Sequence, residues 1–424
     1  MEFKQYPSYK KSGVEWLGEV PEHWVGSKFK YIFQEKQHTK NMNLPFGAIS
    51  FGSVVYKEDK ANLTDELKEN YQEVLQGEFL VNPLNLNYDL KSLRTALSKI
   101  DVVVSSGYFV LKLKNNTFNK RYLEYLLYIF DIRKMKTLGA GIRQTLTFRD
   151  MAVCDVAIPS ACEQTQIASF LDYETFRIDN LIAKQEKLIE LLEEQRKSII
   201  SHAVTKGLNP NAPMKDSGVE WLGEVPEHWE IYPIGYSFDL LKNNNVGDDW
   251  EHTQLLSLTL QGVIKKDINE AKGKTHSDYS TYQKVNVGDF IFCLFDIEET
   301  PRTVGVVETS GMITSAYTAL KPKPFINPKY FYYFFECRDD LKAFGSEYSG
   351  LRKTIRPTKF IKLKICYPKL NEQCEIVGFL DTKCKKIDLL ISKQQQLIKK
   401  LKEYRSSIIS HAVTGKIDVR EFGA

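Results

Sequence analysis

Apolar residues recur in steps of three, four or seven through two stretches of the chain, Glu163 to Thr205 and Glu372 to Thr414. In the first they fall at Ile167, Leu171, Ile178, Leu181, Leu188, Leu192 and Ile199. In the second they fall at Ile376, Leu380, Ile387, Leu390, Leu397, Leu401 and Ile408. That spacing makes one stripe along a helix, and neither stretch holds a Pro or an internal Gly except Gly378. A helix of about 40 residues runs roughly 60 Å, and so narrow a stripe cannot hold it alone in water. The two stretches align at a constant shift of 209 residues and both close on SIISHAVT. The predicted partner of each helix is therefore the other, with Gln185 and Gln394 as register-setting polar positions in the pair.

The chain ahead of each helix is patterned differently. Over 25–160 and 230–368, short β-branched and aromatic runs such as DVVVSSGYFVLKLK and VGDFIFCLF are broken by Asn, Gly and Pro. These runs predict strands joined by turns. One aromatic stretch in each, Arg121 to Met135 and Tyr330 to Phe344, predicts a helix. Each region therefore reads as a compact α+β domain with a curved, mostly antiparallel sheet. Thirteen residues from Ser12 to Trp24, SGVEWLGEVPEHW, recur letter for letter from Ser217 to Trp229. Trp16, Trp24, Trp221 and Trp229 are expected to staple these segments onto neighbouring structure. The chain is thus two halves of one plan. A segment and domain span 1–160, a helical region 161–216, a second segment and domain 217–368, and a helical region with tail 369–424.

Composition narrows the function classes. With 424 residues, 42% apolar and 26% charged, the chain has room for two to four structural units. No run reaches the roughly 18 apolar residues of a membrane span, and the opening residues lack a signal core, so the cytoplasm is the expected address. The seven Cys form no CxxC pair, which argues against a disulfide framework or a zinc site. Net charge is +4, and the two variable domains hold 19 basic against 14 acidic and 18 against 17 residues. Neither is a domain held to DNA by charge alone. The nearest approach to an amino-methyltransferase motif, Asn82-Pro83-Leu84-Asn85, lacks the second Pro and the aromatic that would stack on a flipped base. There is no Gly-rich phosphate loop ending in Lys-Ser/Thr.

Between the two domains only a skeleton aligns: Gly77 and Phe79 with Gly288 and Phe290, Arg94-Thr95 with Arg302-Thr303, Ser106 and Tyr108 with Ser315 and Tyr317, and Gly141–Thr145 with Gly350–Thr354. A constant frame holding two divergent heads suits a molecule whose frame sets geometry while each head reads something different. With GVEWLGxxPxHW opening each half and EQxxIxxFLD running to SIISHAVT closing it, the chain resembles the specificity subunit of type I restriction-modification systems over essentially its whole length.

The resemblance implies two target recognition domains separated by an antiparallel coiled coil of two long helices, with a pseudo-twofold internal repeat. It implies a non-catalytic, sequence-specific subunit that recognises an asymmetric bipartite site in double-stranded DNA. Two modification subunits would dock on it and methylate adenine from S-adenosylmethionine. Restriction subunits, motor-nucleases, would complete the complex, so that S-adenosylmethionine, ATP and Mg are needed by the partners and no cofactor by this chain. A fused nuclease-methyltransferase partner gives the same reading, and a purely structural adaptor with protein-binding heads is the rival from another class.

Base reading needs Arg, Lys, amide or hydroxyl side chains on loops that reach a groove. The repeated Gly-x-Arg-x-Thr loops offer Arg143, Gln144 and Thr145 in one head and Arg352, Lys353 and Thr354 in the other, either as DNA contacts or as turns whose Arg pairs locally. Arg94 and Arg302 sit between strand segments, where a groove-reaching side chain would be mounted. Lys112 and Lys114, with Lys91 and Lys99, and Lys265 and Lys274, with Lys266 and Lys272, are further candidates. His202 and His411, lacking an acidic or nucleophilic partner, are expected to pack or cap at the helix ends. Charges left over from helix pairing, Lys184, Lys187, Glu190 and Glu194 with Lys393, Lys399 and Lys400, mark the expected docking face for partner subunits.

Overall fold

The computed structural model describes residues 3–57, 68–84, 93–138, 145–242, 244–268, 279–344, 348 and 353–422. It divides into two compact units, Met1–Gln185 with Gln396–Ala424, and Glu186–Gln395. Each unit therefore holds one head, part of one long helix and part of the other.

Unit 1 begins with β1 (Tyr9–Lys11) paired to β2 (Glu19–Pro21). Next come β3 (Val25–Lys28), α1 (Phe29–Ile32) and β4 (Phe33–Glu35), then the hairpin of β5 (Gly47–Ser50) and β6 (Ser53–Tyr56). The strands β7 (Tyr71–Val74), β8 (Phe79–Val81), β9 (Thr95–Leu97), β10 (Val102–Ser105) and β11 (Phe109–Leu113) complete the head's sheets. The order β4-β11-β8-β9 makes a four-stranded antiparallel sheet, and β7 pairs with β10. Helix α2 (Lys120–Arg133) buries Leu123, Leu126, Leu127 and Phe130. Short α3 (Phe148–Ala152) precedes β12 (Asp155–Ile158), which returns to pair with β3 and closes the head at its neck. The long α4 (Ala161–Lys206) follows.

Unit 2 repeats the plan. β13 (Met214–Asp216) pairs with β14 (Glu224–Pro226), and β15 (Glu230–Pro233) with β24 (Lys364–Tyr367). Between them lie α5 (Ile234–Ser237), β16 (Phe238–Leu240) and a second hairpin, β17 (Leu256–Thr259) with β18 (Gly262–Lys265). Then come β19 (Gln283–Val285), β20 (Phe290–Phe292), β21 (Val304–Val306), β22 (Gly311–Ile313) and β23 (Thr318–Pro322). The sheet order β16-β23-β20-β21 reproduces that of the first head. Helix α6 (Pro328–Asp340) packs Phe331, Phe334 and Phe335 into the core, and α7 (Pro357–Phe360) leads back to β24 and on to the long α8 (Leu370–Val413).

Each verbatim Trp/Pro segment is fastened to the start of a long helix. Trp24 is fully buried, and its Nε1 donates to Glu163 at 3.1 Å. Trp229 is equally buried, and its Nε1 donates to Glu372 at 3.0 Å. His23 and His228 meet the same carboxylates at 2.9 and 2.7 Å. Only the first half adds Tyr6, whose hydroxyl donates to Glu163 at 2.7 Å. The helix-capping residues Asn119 and Asn327 accept from the first amides of α2 and α6, and donate their own backbone N–H to Gln164 and Gln373. The adjacent Glu and Gln that open each long helix thus fix the Trp segment and the head helix together. In unit 1 the chain's last described residues close onto its first: Asp418 N–H donates to the Lys4 carbonyl at 2.7 Å, and the Phe422 ring packs edge-on against Phe170.

The long helices pair in opposite directions. In unit 1 Asp179 meets Arg405 at 2.8 Å, and Gln166 donates to the Arg420 carbonyl in the tail beyond α8. In unit 2 Arg196 lies 3.5 Å from Asp388. At the 209-residue shift Asp179 corresponds to Asp388 and Arg196 to Arg405, so these are one ion pair with the copies exchanged.

The buried line along the helices corrects the sequence expectation in one respect. Leu181, Leu188, Leu390 and Leu397 are exposed, at 38–43%. The inward positions are Ile178, Ile182, Gln185, Ile189, Leu192, Arg196 and Ile199, and in the second helix Ile387, Ile391, Gln394, Ile398, Leu401, Arg405 and Ile408. These repeat in alternating steps of four and three, the heptad spacing. His202 and His411 are both exposed, so neither packs at its helix end.

Candidate nucleic-acid interface

In each head, three loops converge where β8 or its counterpart β20 leaves the sheet. Asn82, just past β8, donates its N–H to the Arg94 carbonyl at 2.8 Å, which closes the base of the loop into β9. Leu146, just past the Gly-x-Arg-x-Thr loop, donates its N–H to the Pro83 carbonyl at 3.2 Å. The turn of the β5–β6 hairpin is close by, since a Cβ on Gly52 would lie 2.7 Å from Leu93 Cδ1. In the second head Ile355 donates to the Leu294 carbonyl at 2.8 Å, Cys293 to that of Thr303 at 2.9 Å, and the β17–β18 hairpin packs onto Gly305 of β21. Separate loops presented together by a sheet edge form a mount for base-reading side chains.

A buried carboxylate pins this loop end to the head helix. Asp131 of α2, fully buried, accepts from the Arg94 N–H, and Asp339 of α6 accepts from the Thr303 N–H at 3.0 Å. Burial pushes the Asp131 carboxyl above its ordinary value, with the backbone donors pulling it back. Neither Asp was singled out from the sequence. The signal available was an Asp at the same 208-residue offset that relates Arg94 to Arg302.

The sequence candidates fall into distinct positions. Arg94 is half-buried beside the Asp131 anchor. Arg302 does not project from its loop. Its guanidinium lies 3.4 Å from Asp340, 3.7 Å from Asp339 and 3.8 Å from Glu336, all on α6, and its side chain is 17% exposed. Lys112 pairs with Glu78 at 3.2 Å, while Lys114 and Lys265 are exposed. Lys353 forms an ion pair with Glu298, which also accepts from Tyr348, tying the second Gly-x-Arg-x-Thr loop to the loop after β20. Thr145 and Thr354 are half-buried. Arg143, Gln144, Arg352 and Lys274, with Lys91 and Lys272, lie outside the described residues. On the long helices Lys184, Lys187, Glu190, Glu194, Lys393, Lys399 and Lys400 are all exposed, and Lys187 pairs with Glu190 at 2.8 Å.

Sequence reasoning missed the two hairpin turns, which carry Phe51 at 97% exposure and Leu260 at 67%. A run such as GAISFGSVVY signals a strand, and only the paired backbone shows that its Phe sits at the tip.

A family model described as the type I restriction modification DNA specificity domain matches residues 17–194. Over 448 aligned residues the chain is 22% identical to the putative type I restriction enzyme MjaX specificity subunit of Methanocaldococcus jannaschii, covering 99% of each. It is 27% identical over 231 residues to the MjaVIII specificity subunit of the same organism, covering 52% of this chain and 50% of that one. Residues 17–194 thus match the DNA specificity domain, and over its whole length the chain is similar to specificity subunits of type I restriction-modification systems. A chain solved in work on complex assembly and conformational transition of the type I R-M system superposes with a TM-score of 0.64 at 14% identity, covering 93% of this chain and 98% of that one, which shows the shared fold. Among the described residues no group of three or more His, Cys, Asp or Glu could hold a metal ion, and no helix is long and apolar enough to cross a membrane.

Proposed function

We propose that this chain is a non-catalytic type I specificity subunit that reads the two halves of an asymmetric, bipartite DNA site, one with each head, and directs adenine methylation and restriction by partner subunits in the cytoplasm. Two modification subunits docked on the exposed charges of α4 and α8 would supply S-adenosylmethionine chemistry, and motor-nuclease subunits would use ATP and Mg. This chain would bring no cofactor of its own.

One observation carries the reading. What fixes each head in place is the same in both halves: the Trp-to-Glu bonds at Glu163 and Glu372, the Asn-to-Gln bonds at Gln164 and Gln373, and the buried Asp anchors. What the heads present at the loop end differs. An invariant mount with unlike faces calls for two unlike half-sites, since the mount holds each head the same way and the faces fix sequence. The test is single-molecule sequencing of methylated adenines in a host carrying this chain with its modification subunits. A split, non-palindromic motif is the expected result. A palindromic motif, or methylation independent of this chain, would overturn the proposal.

A further inference from the structure

We propose that the β5–β6 and β17–β18 hairpins are specificity fingers that enter a groove of the duplex, with Phe51 and Leu260 as the tip residues that contact base edges. The inference rests on the reading of the heads as DNA readers and adds which element of each head does the reading.

Four observations meet at these hairpins. The first is position: Phe51 and Leu260 are related by the same 209-residue shift as the long helices, and each stands at the turn of its hairpin. Both are large, apolar and exposed, at 97% and 67%. A lone exposed apolar residue is ordinary, but a large apolar residue at the same tip in two otherwise divergent heads is not explained by packing. The second is architecture. Among the described residues each hairpin is a two-stranded sheet of its own, bridged to the head only at its base, by Phe46 to Val103 and by Leu255 to Met312, so that its turn is hydrogen-bonded to no other strand. A two-stranded ribbon is among the few elements that the major groove, about 12 Å wide, admits.

The third is backbone strain. Phe51 has φ +47° and Gly52 φ +76°, and the Ser50–Ser53 pairing leaves these two residues as the whole loop. That turn favours Asn-Gly or Gly-Gly, so Phe at its first position costs roughly 1 kcal/mol or more. A strained residue that packs against almost nothing owes its place to something outside the fold. The fourth is charge. Lys57 and Lys266 end the two ribbons at equivalent positions, each donating its backbone N–H to the strand opposite, to Phe46 and Leu255 at 2.9 Å, with the side chain exposed. An apolar tip with a cation behind it suits base edges in the groove and phosphate at its rim, and apolar side chains contact the thymine methyl group. The cleft beneath the Phe51 tip is lined by Lys99, Arg121 and Arg405 against Glu124, Asp172 and Asp179, so its charges cancel and do not themselves attract a nucleic acid.

The experiment uses the full chain with its modification subunits and compares the unsubstituted complex with Phe51→Asn and Leu260→Asn. Methylated adenines are mapped by single-molecule sequencing, cognate preference is read by gel shift against a scrambled duplex, and assembly by size exclusion. Each substitution should relax base preference by about tenfold at one or more positions of one half-site only, a different half-site for each. Phe51→Asn should leave the melting temperature unchanged or raised, because Asn tolerates positive φ. An unchanged motif with unchanged cognate preference overturns the proposal. So does loss of assembly with cognate preference intact, which would make the hairpin a protein-docking element. Absence of any split motif from the unsubstituted complex would overturn the DNA-reading function itself, a different failure.

Discussion

The carboxylate of Glu163 joins the N-terminal stretch of unit 1 to the start of α4 through three side chains. It is 3% exposed and accepts from Tyr6 and Trp24, themselves 4% and 0% exposed, while His23 completes its shell. Glu163→Ala would strand two buried donors, each costing about 1–3 kcal/mol when left without a partner. A loss of about 4 kcal/mol follows, and at roughly 2–4 °C per kcal/mol for a unit of this size the melting temperature should fall by about 8–16 °C. Glu372 is the internal control. Its side chain is 27% exposed and among the described residues it holds Trp229 and His228, so water can replace much of what is lost and Glu372→Ala should cost about half as much. Differential scanning calorimetry of the two variants, with Glu163→Gln as the conservative partner that keeps an acceptor, reads the difference. Equal losses at Glu163 and Glu372, or a Gln variant no better than Ala, would refute the argument that unsatisfied donors set the cost.

Two further outcomes are expected. Ile182→Ala, at an 8% exposed seam position, should lower stability by about 2–4 kcal/mol, whereas Leu181→Ala next to it should cost under about 1 kcal/mol in urea titrations, and the opposite ranking would restore the other stripe. The Asn41 amide, followed by Lys36, holds the Glu73 carboxyl below its ordinary value of 4.5. A depressed folded-state value means that this stabilisation is complete above about pH 4.5 and is lost as pH falls through the lower folded value. Glu73→Gln should therefore flatten the acid limb of the stability profile and leave the limb above neutrality unchanged, as read from urea midpoints between pH 3 and 6.

The repeats made the architecture legible before any coordinates. Identical SIISHAVT endings and identical Trp/Pro segments required two equivalent halves, and a narrow stripe on a long helix required a partner. The register of that pairing was not legible, because Leu181-Ile182 and Leu188-Ile189 place apolar residues on both sides of the choice and the inward residue between them is the polar Gln185. Periodicity cannot separate adjacent aliphatic residues when the deciding position is an amide. Arg302 shows a second limit. Its acidic neighbours lie 34 to 38 residues along the chain on α6, so only the fold reveals that its charge is already spoken for. The buried Asp131 and Asp339 were hidden for the converse reason, since an isolated Asp in a helical stretch carries no mark of what it will accept.

The division of the chain has a consequence for its biogenesis. Unit 2 is one continuous run, Glu186–Gln395, whereas unit 1 joins the first 185 residues to those from Gln396 onward. During synthesis at about 5–20 residues per second, the early head waits roughly 10–40 s for the segment that finishes it. The later-made half can mature first, and for that interval the nascent early half exposes the apolar flank that Ile408 and Ile409, buried in the finished molecule, will cover.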